Sequence, residues 1–210
     1  MPPEPETSRR ALAPEGTGAL HMTSREERHI QRLKQRDPAA FEELVRAHQT
    51  PIFNMLYRML GNREEAEDLL QEVFVAVFKQ IDGFRGEASL TTWIYRIATN
   101  HCINRQKYNR RRAQHASESW DANHSAGAEA MPSPFPQPDE ALEGARMERR
   151  LQIAISELDE EQRIVLVLRD IQNLSYEEIE QVVGVPGGTV KSRLHRARMA
   201  LKEKLTRGEG

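Results

Sequence analysis

Cysteine is almost missing from this 210-residue chain: Cys102 stands alone, which excludes an intrachain disulfide framework and any all-cysteine metal site. Such usage fits a reducing compartment. Nowhere does the sequence approach the roughly 20 consecutive apolar residues that a membrane-spanning helix needs. Met1 to Met22 also lacks the apolar centre of a signal peptide, so a cytoplasmic protein is expected. There is no glycine-rich phosphate loop, and the seven histidines are scattered. His101 and Cys102 are neighbours, but adjacent side chains on a helix point apart. No enzyme, cofactor or metal site is therefore expected. Runs alternating with the period of two that a strand needs are nearly absent, whereas helical periodicity with start and stop signals recurs, so the fold class is all-α.

Lysine and arginine vanish between Ala113 and Ala145, where six acids remain (Glu118, Asp121, Glu129, Asp139, Glu140 and Glu143). Pro132, Pro134, Pro136 and Pro138 stand at every second position there, which blocks helix and stiffens the chain toward an extended form. Residues 113–139 therefore read as a flexible, acidic, Pro-rich linker. Residues 1–23 hold four of the eleven prolines with Gly16 and Gly18, a composition that predicts a disordered tail. Two small helical domains remain, at 24–112 and 140–207.

In the first domain, Ser24 and Glu27 match a capping box, Asp37-Pro38 opens a second helix, and Gly61-Asn62 ends it and starts a third. Pro51 is expected to kink or split the second helix. A fourth helix is expected from near Ser89 or Thr91 to about Arg112. In the second domain helices are expected at about 140–158, 160–171, 176–183 and 189–205. Ser175 and Glu178 match another capping box, and Gly184 to Gly188 forms a turn.

Charge is concentrated on two of these helices. From Thr189 to Arg207 seven basic residues face one acid, Glu203. Val190, Leu194, Ala197, Leu201 and Leu205 form the core stripe, which sends Ser192, His195, Arg196 and Met199 outward. A short helix, a glycine-containing turn and then a basic helix are the parts of a helix-turn-helix, whose second helix enters the major groove. From Trp93 to Arg112 six basic residues meet no acid at all. Arg96, Asn100, Asn104, Lys107 and Arg111 make one polar stripe, with Trp93 at its head and Phe84, Tyr95 and Tyr108 nearby. Cations for a backbone, amides for base edges and aromatic faces for unpaired bases are the ingredients of single-strand binding. The third helix differs. Its core stripe reads as Ala66, Leu70, Val73 and Val77, while Asp68, Gln71, Glu72, Val75 and Lys79 face away, and a valine among carboxylates suits a protein partner.

Motifs in both domains resemble one family. Glu64-Glu65-Ala66-Glu67-Asp68-Leu69-Leu70-Gln71-Glu72-Val73-Phe74, Phe84-Arg85-Gly86-Glu87, and Thr92-Trp93-Ile94-Tyr95-Arg96-Ile97-Ala98 with Asn100 resemble region 2 of extracytoplasmic-function sigma factors. Leu174-Ser175-Tyr176-Glu177-Glu178-Ile179, Gly184-Val185-Pro186 and Gly188-Thr189-Val190-Lys191-Ser192-Arg193-Leu194-His195-Arg196-Ala197-Arg198 resemble their region 4. The resemblance implies a dissociable promoter-specificity subunit of bacterial RNA polymerase. It implies that Asp68, Gln71, Glu72 and Val75 dock on the beta-prime clamp helices and that region 4 touches the beta flap. Phe84, Arg85, Trp93, Arg96, Asn100, Asn104 and Lys107 would hold the melted minus-ten strand. Thr189, Lys191, Ser192, Arg193, His195 and Arg196 would read the minus-thirty-five duplex. An anti-sigma factor is an expected partner, and could hold the protein at the membrane.

Two positions depart from the family pattern. Glu180 stands where a small residue is usual, so its side chain must snorkel or the helices must part. Gly187 replaces a larger turn residue. The competing reading is a helix-turn-helix regulator that never joins polymerase, but that gives the Trp93 stripe and the Asp68 face no role.

Overall fold

The structure, a computed structural model, describes residues 23–119 and 139–207, and among these there is no strand. The first half comprises α1 (Ser24–Lys34), α2 (Pro38–Leu60), α3 (Arg63–Gln80), a 3-10 turn (Ile81–Gly83) and α4 (Leu90–Ser119). The second comprises α5 (Asp139–Ser156), α6 (Glu160–Leu166), a π-helical turn (Val167–Ile171), α7 (Tyr176–Val183) and α8 (Gly187–Arg207).

Local chemistry explains most boundaries. Asp37 caps α2 by accepting from Ala39 N–H at 2.9 Å, with Pro38 next to it. Gly61 ends α2 in the left-handed region at φ 77°, and Asn62 caps α3 by accepting from Glu65 N–H at 2.9 Å. Ser175 and Glu178 satisfy each other's backbone donors at 3.1 and 2.8 Å at the start of α7. Three expectations need correction. The capping box of α1 uses Thr23 and Glu26, one residue earlier than Ser24 and Glu27; both pairs fit the spacing, and Ser24 becomes the first helical residue. Helix α2 runs unbroken through Pro51. Helix α4 continues beyond Arg112 to Ser119, so the start of the segment read as linker is helical. The rest of that linker up to Pro138, and the tail over 1–22, lie outside the described residues.

Both halves contribute to one apolar cluster, from Leu33, Ile52 and Leu56 through Ile94 and Cys102 to Val165, Ile179 and Leu194. Helix α4 lies against α7, and α2 against α5 and the π-helical turn. At about 25 cal/mol per Å2 of buried apolar surface, this shared core is the main stabilising term.

Candidate nucleic-acid and polymerase interfaces

Helix α8 is aimed by its turn. Gly184 ends α7 at φ 71°, and the Pro186 carbonyl accepts from Thr189 and Val190 N–H at 2.8 and 3.1 Å, which starts the next helix. Val190, Leu194 and Ala197 are buried. The opposite face presents Lys191, Ser192, His195 and Arg196 to solvent. Ser192 Oγ donates to the Thr189 carbonyl at 3.0 Å and Arg196 Nε to the Ser192 carbonyl at 3.3 Å, so both side chains lie along the helix, and Lys191 Nζ rests 5.5 Å from the Tyr176 ring centre. Thr189 is half-buried. Arg193 departs from its expected role in this conformation: it turns away from the outer face to pair with Glu161 at 2.7 Å, leaving 19% of its side chain exposed.

Glu180 and Gly187 explain each other. Glu180 reaches solvent, and a Cβ added at Gly187 would sit 3.1 Å from Glu180 Oε2. The missing side chain at the head of α8 thus makes room for the larger residue on α7. The helices need not part.

On α4, Arg96, Asn100, Asn104 and Lys107 are all exposed along one stripe, as expected from their spacing. Trp93 at its head is half-buried. Phe84 is different. Only 4% of it is exposed, and it packs edge-on against Trp93 with ring centres 5.4 Å apart. It therefore offers no free face to a base and acts as the anchor of its loop, leaving Arg85 exposed beside it. Tyr95 is also buried, its hydroxyl donating to Gln172 Oε1 at 2.8 Å, and burial pushes its pKa up to about 12. Sequence reasoning missed the two residues that pin this loop: Lys34 Nζ donates to the Phe84 carbonyl at 2.9 Å, and Arg36 pairs with Asp82. Arg36 sits at φ 61° between α1 and α2, a strained position with no sequence signal beyond the Asp37-Pro38 that follows.

The outer face of α3 carries Asp68, Gln71 and Glu72 in solvent, with Val75 51% exposed. Its inner stripe differs by one position from expectation, since Leu69 is fully buried and Leu70 only half-buried. Glu72 accepts from Arg105 of α4 at 2.7 Å, an ion pair that ties the acidic face to the basic helix. Phe78, 44% exposed, continues the apolar part of this face; it packs on Phe41 at 4.7 Å and under Arg36 at 4.8 Å. Nothing in the helical periodicity separated Phe78 from core. Among the described residues no group of three or more metal-ligating side chains assembles, and burial pushes the Cys102 thiol up to about 12.

Residues 44–112 match Sigma-70 region 2, and residues 148–201 match Sigma-70, region 4. The ECF RNA polymerase sigma factor SigW of Bacillus subtilis (strain 168) is 36% identical over 85% of this chain and 95% of its own. This chain belongs to the ECF sigma factors. The RNA polymerase sigma-H factor of Pseudomonas aeruginosa is 33% identical over 84% of this chain and 91% of its own. Among solved structures, CnrH in complex with the cytosolic domain of CnrY gives a TM-score of 0.63 at 20% identity, covering 88% of this chain and 99% of that one. The sigma factor RpoE in complex with the anti-sigma factor NepR from Bartonella quintana gives 0.61 at 23%, covering 79% and 96%. At these identities the likeness speaks for the fold. As a sigma factor, the protein directs transcription initiation as part of RNA polymerase, with its region 2 match running from within α2 into α4 and its region 4 match from within α5 into α8.

Proposed function

We propose that this sigma factor grips a promoter at two places with two kinds of contact. The helix α8 reads the minus-thirty-five element as duplex, through Lys191, Ser192, His195 and Arg196, with Thr189 beside them. Groove readout needs a rigid helix whose outward side chains reach base edges. The observation that carries this is the exposed Lys191, Ser192, His195 and Arg196 cluster on the solvent face of a helix whose other face is buried. Arg193 joins the contact only after leaving Glu161.

The minus-ten element is held as a melted strand by Arg85, Trp93, Arg96, Asn100, Asn104 and Lys107. Capturing separated bases offsets the few kcal/mol that unstacking each one costs. Phe84 supports this surface from within. Core polymerase docks on Asp68, Gln71, Glu72 and Val75 through the beta-prime clamp helices, and region 4 touches the beta flap. The protein acts in the cytoplasm, and an anti-sigma factor is a further partner; the sigma factor RpoE from Bartonella quintana is in complex with one, NepR.

Purified core polymerase and this protein, supplied with genomic DNA, test the reading when transcript 5′ ends are sequenced. Starts that share paired motifs near minus ten and minus thirty-five, and that vanish without the protein, are expected. A protein that binds DNA but adds no new starts is a regulator outside polymerase. Replacing Asp68 and Glu72 together by alanine weakens core binding in a pull-down while the fold persists; undiminished capture removes them from the docking face.

A further inference from the structure

Helix α1 ends on a conformation that favours glycine. Its last turn closes as a Schellman motif, Arg36 N–H donating to the Leu33 carbonyl at 3.0 Å and Asp37 N–H to the Arg32 carbonyl at 3.1 Å. The first residue past the cap of such a motif takes the left-handed conformation, which glycine adopts without cost. Here that residue is Arg36, at φ 61°. A side chain that persists at a strained position is held there by its surroundings, and those contacts point to what it does.

The contacts of Arg36 all lie at the root of one loop. It donates to the Phe78 carbonyl near the end of α3 and pairs with Asp82 in the 3-10 turn that follows. Its guanidinium also lies 4.8 Å from the centre of the Phe78 ring, which packs on Phe41 at 4.7 Å. One planar fork thus ties the end of α1 to the chain on both sides of its exit from α3. Two residues earlier, half-buried Lys34 donates from Nζ to the Phe84 carbonyl at 2.9 Å.

That carbonyl belongs to the peptide group shared with Arg85. Because the group is planar, fixing its oxygen fixes the plane from which the Arg85 side chain departs. Phe84 N–H is held as well, donating to the Ile81 carbonyl at 3.1 Å, and the Phe84 ring packs on Trp93. From Phe84 to Ser89 the backbone follows neither helix nor strand, so its course depends on its anchors. Ser89 supplies the far one, its Oγ accepting from Thr92 N–H at 3.0 Å. Lys34 and Arg36 supply the near one, although both precede the stretch that matches Sigma-70 region 2, residues 44–112.

We propose that Lys34 and Arg36 are positioning residues for the minus-ten element: without touching a base, they set the direction of Arg85 and the seat of Phe84 beneath Trp93, and so decide which bases the loop accepts. The proposal rests on the assignment of Arg85 and Trp93 to the melted strand. A displacement of about 1 Å in the groups that support a site is enough to spoil it.

The test is transcription by the full-length protein with core polymerase, on templates carrying single-base changes in the minus-ten and minus-thirty-five elements that the wild-type starts define. R36G removes the fork and leaves the residue that this backbone position favours, which spares the turn. K34M removes the donor and keeps an unbranched side chain. Each is expected to lower the preference for the favoured base by about fivefold or more at one or more minus-ten positions, while minus-thirty-five preferences stay within about twofold of wild type. R36G/D82A is expected to shift the minus-ten preference no further than R36G, because the pair acts as one unit; a further shift overturns the route through Asp82. Wild-type preferences at minus ten in both R36G and K34M overturn the positioning, and so does an equal fall at both elements, which is damage to the fold. A uniform loss across all minus-ten sequences with a shallower dependence on salt makes the two residues phosphate contacts and overturns it too. A wild-type protein with no base preference at minus ten removes the minus-ten reading and the positioning with it, whereas a wild-type preference that both variants keep removes the positioning alone.

Discussion

Among the outward residues of α8, Arg196 is free to leave its own helix, because among the described residues its guanidinium forms one hydrogen bond, to the Ser192 carbonyl at 3.3 Å. A guanidinium that meets a guanine bidentately discriminates by about 1 to 3 kcal/mol. Arg196→Ala is therefore expected to flatten sequence preference at one base pair of the minus-thirty-five element by that amount, in a titration against single-base variants. An unchanged preference assigns Arg196 to the phosphates. A second residue sets a pH dependence. His48 is half-buried, and burial together with the charge of nearby His29 holds its pKa below the ordinary 6.5. Arg25, Glu43 and His29 share its cavity. Since folding favours the neutral ring, its stability is fully present above the ordinary value and declines as pH falls below it. His48→Gln is expected to flatten the slope of Tm against pH between about 7.5 and 5; an unchanged slope places the titration elsewhere. Residue by residue, exposure on α8 was legible because a 3.6 period fixes faces. The loss of Arg193 to Glu161 was not, because that partner is distant in sequence and only tertiary packing joins them.

At the scale of the helix, the informative signals were the caps. Asp37, Asn62 and Ser175 act where their spacing to the following residues predicts, since a side-chain acceptor serving orphan N–H groups is a local interaction. Thr23 displaced Ser24 because two overlapping pairs satisfy the same template. The end of α4 was misjudged for a related reason. The loss of basic residues after Arg112 signals a change of surface, while nothing from Ala113 to Ser119 forbids helix. Ser175 offers a direct measure of what one cap contributes. Its hydroxyl accepts from Glu178 N–H at 3.1 Å, and the Glu178 carboxylate both returns to Ser175 N–H and accepts from Thr92 of region 2. Ser175→Ala removes one acceptor from a helix of only eight residues. It is expected to cost about 1 kcal/mol in denaturant unfolding. Because Glu178 remains to satisfy its own contacts, a loss well beyond 2 kcal/mol means that the cap also holds the interface to α4.

For the molecule as a whole, the decisive feature is that two family domains share one apolar core. Composition suggested two modest cores divided by a linker, and the pattern of start and stop signals placed their helices well. What the pattern could not convey is that Leu56 and Met59 of α2 belong to the same cluster as Leu158 and Val165 of region 4, because apolar periodicity marks a buried face without naming what buries it. The second half alone, residues 139–207, is near the size where a single core is marginal. Separated from region 2 it also uncovers Gln152 and the guanidinium of Arg163, whose acceptors include carbonyls of α2. The full chain is therefore expected to unfold in one calorimetric transition, its van't Hoff and calorimetric enthalpies agreeing. A fragment spanning 139–207 is expected to melt at a lower temperature than the intact protein. Two resolved transitions in the intact chain, the lower coinciding with the fragment, would mean that region 4 gains no stability from region 2. In that case the shared cluster is contact without coupling, and each domain stands on its own interior.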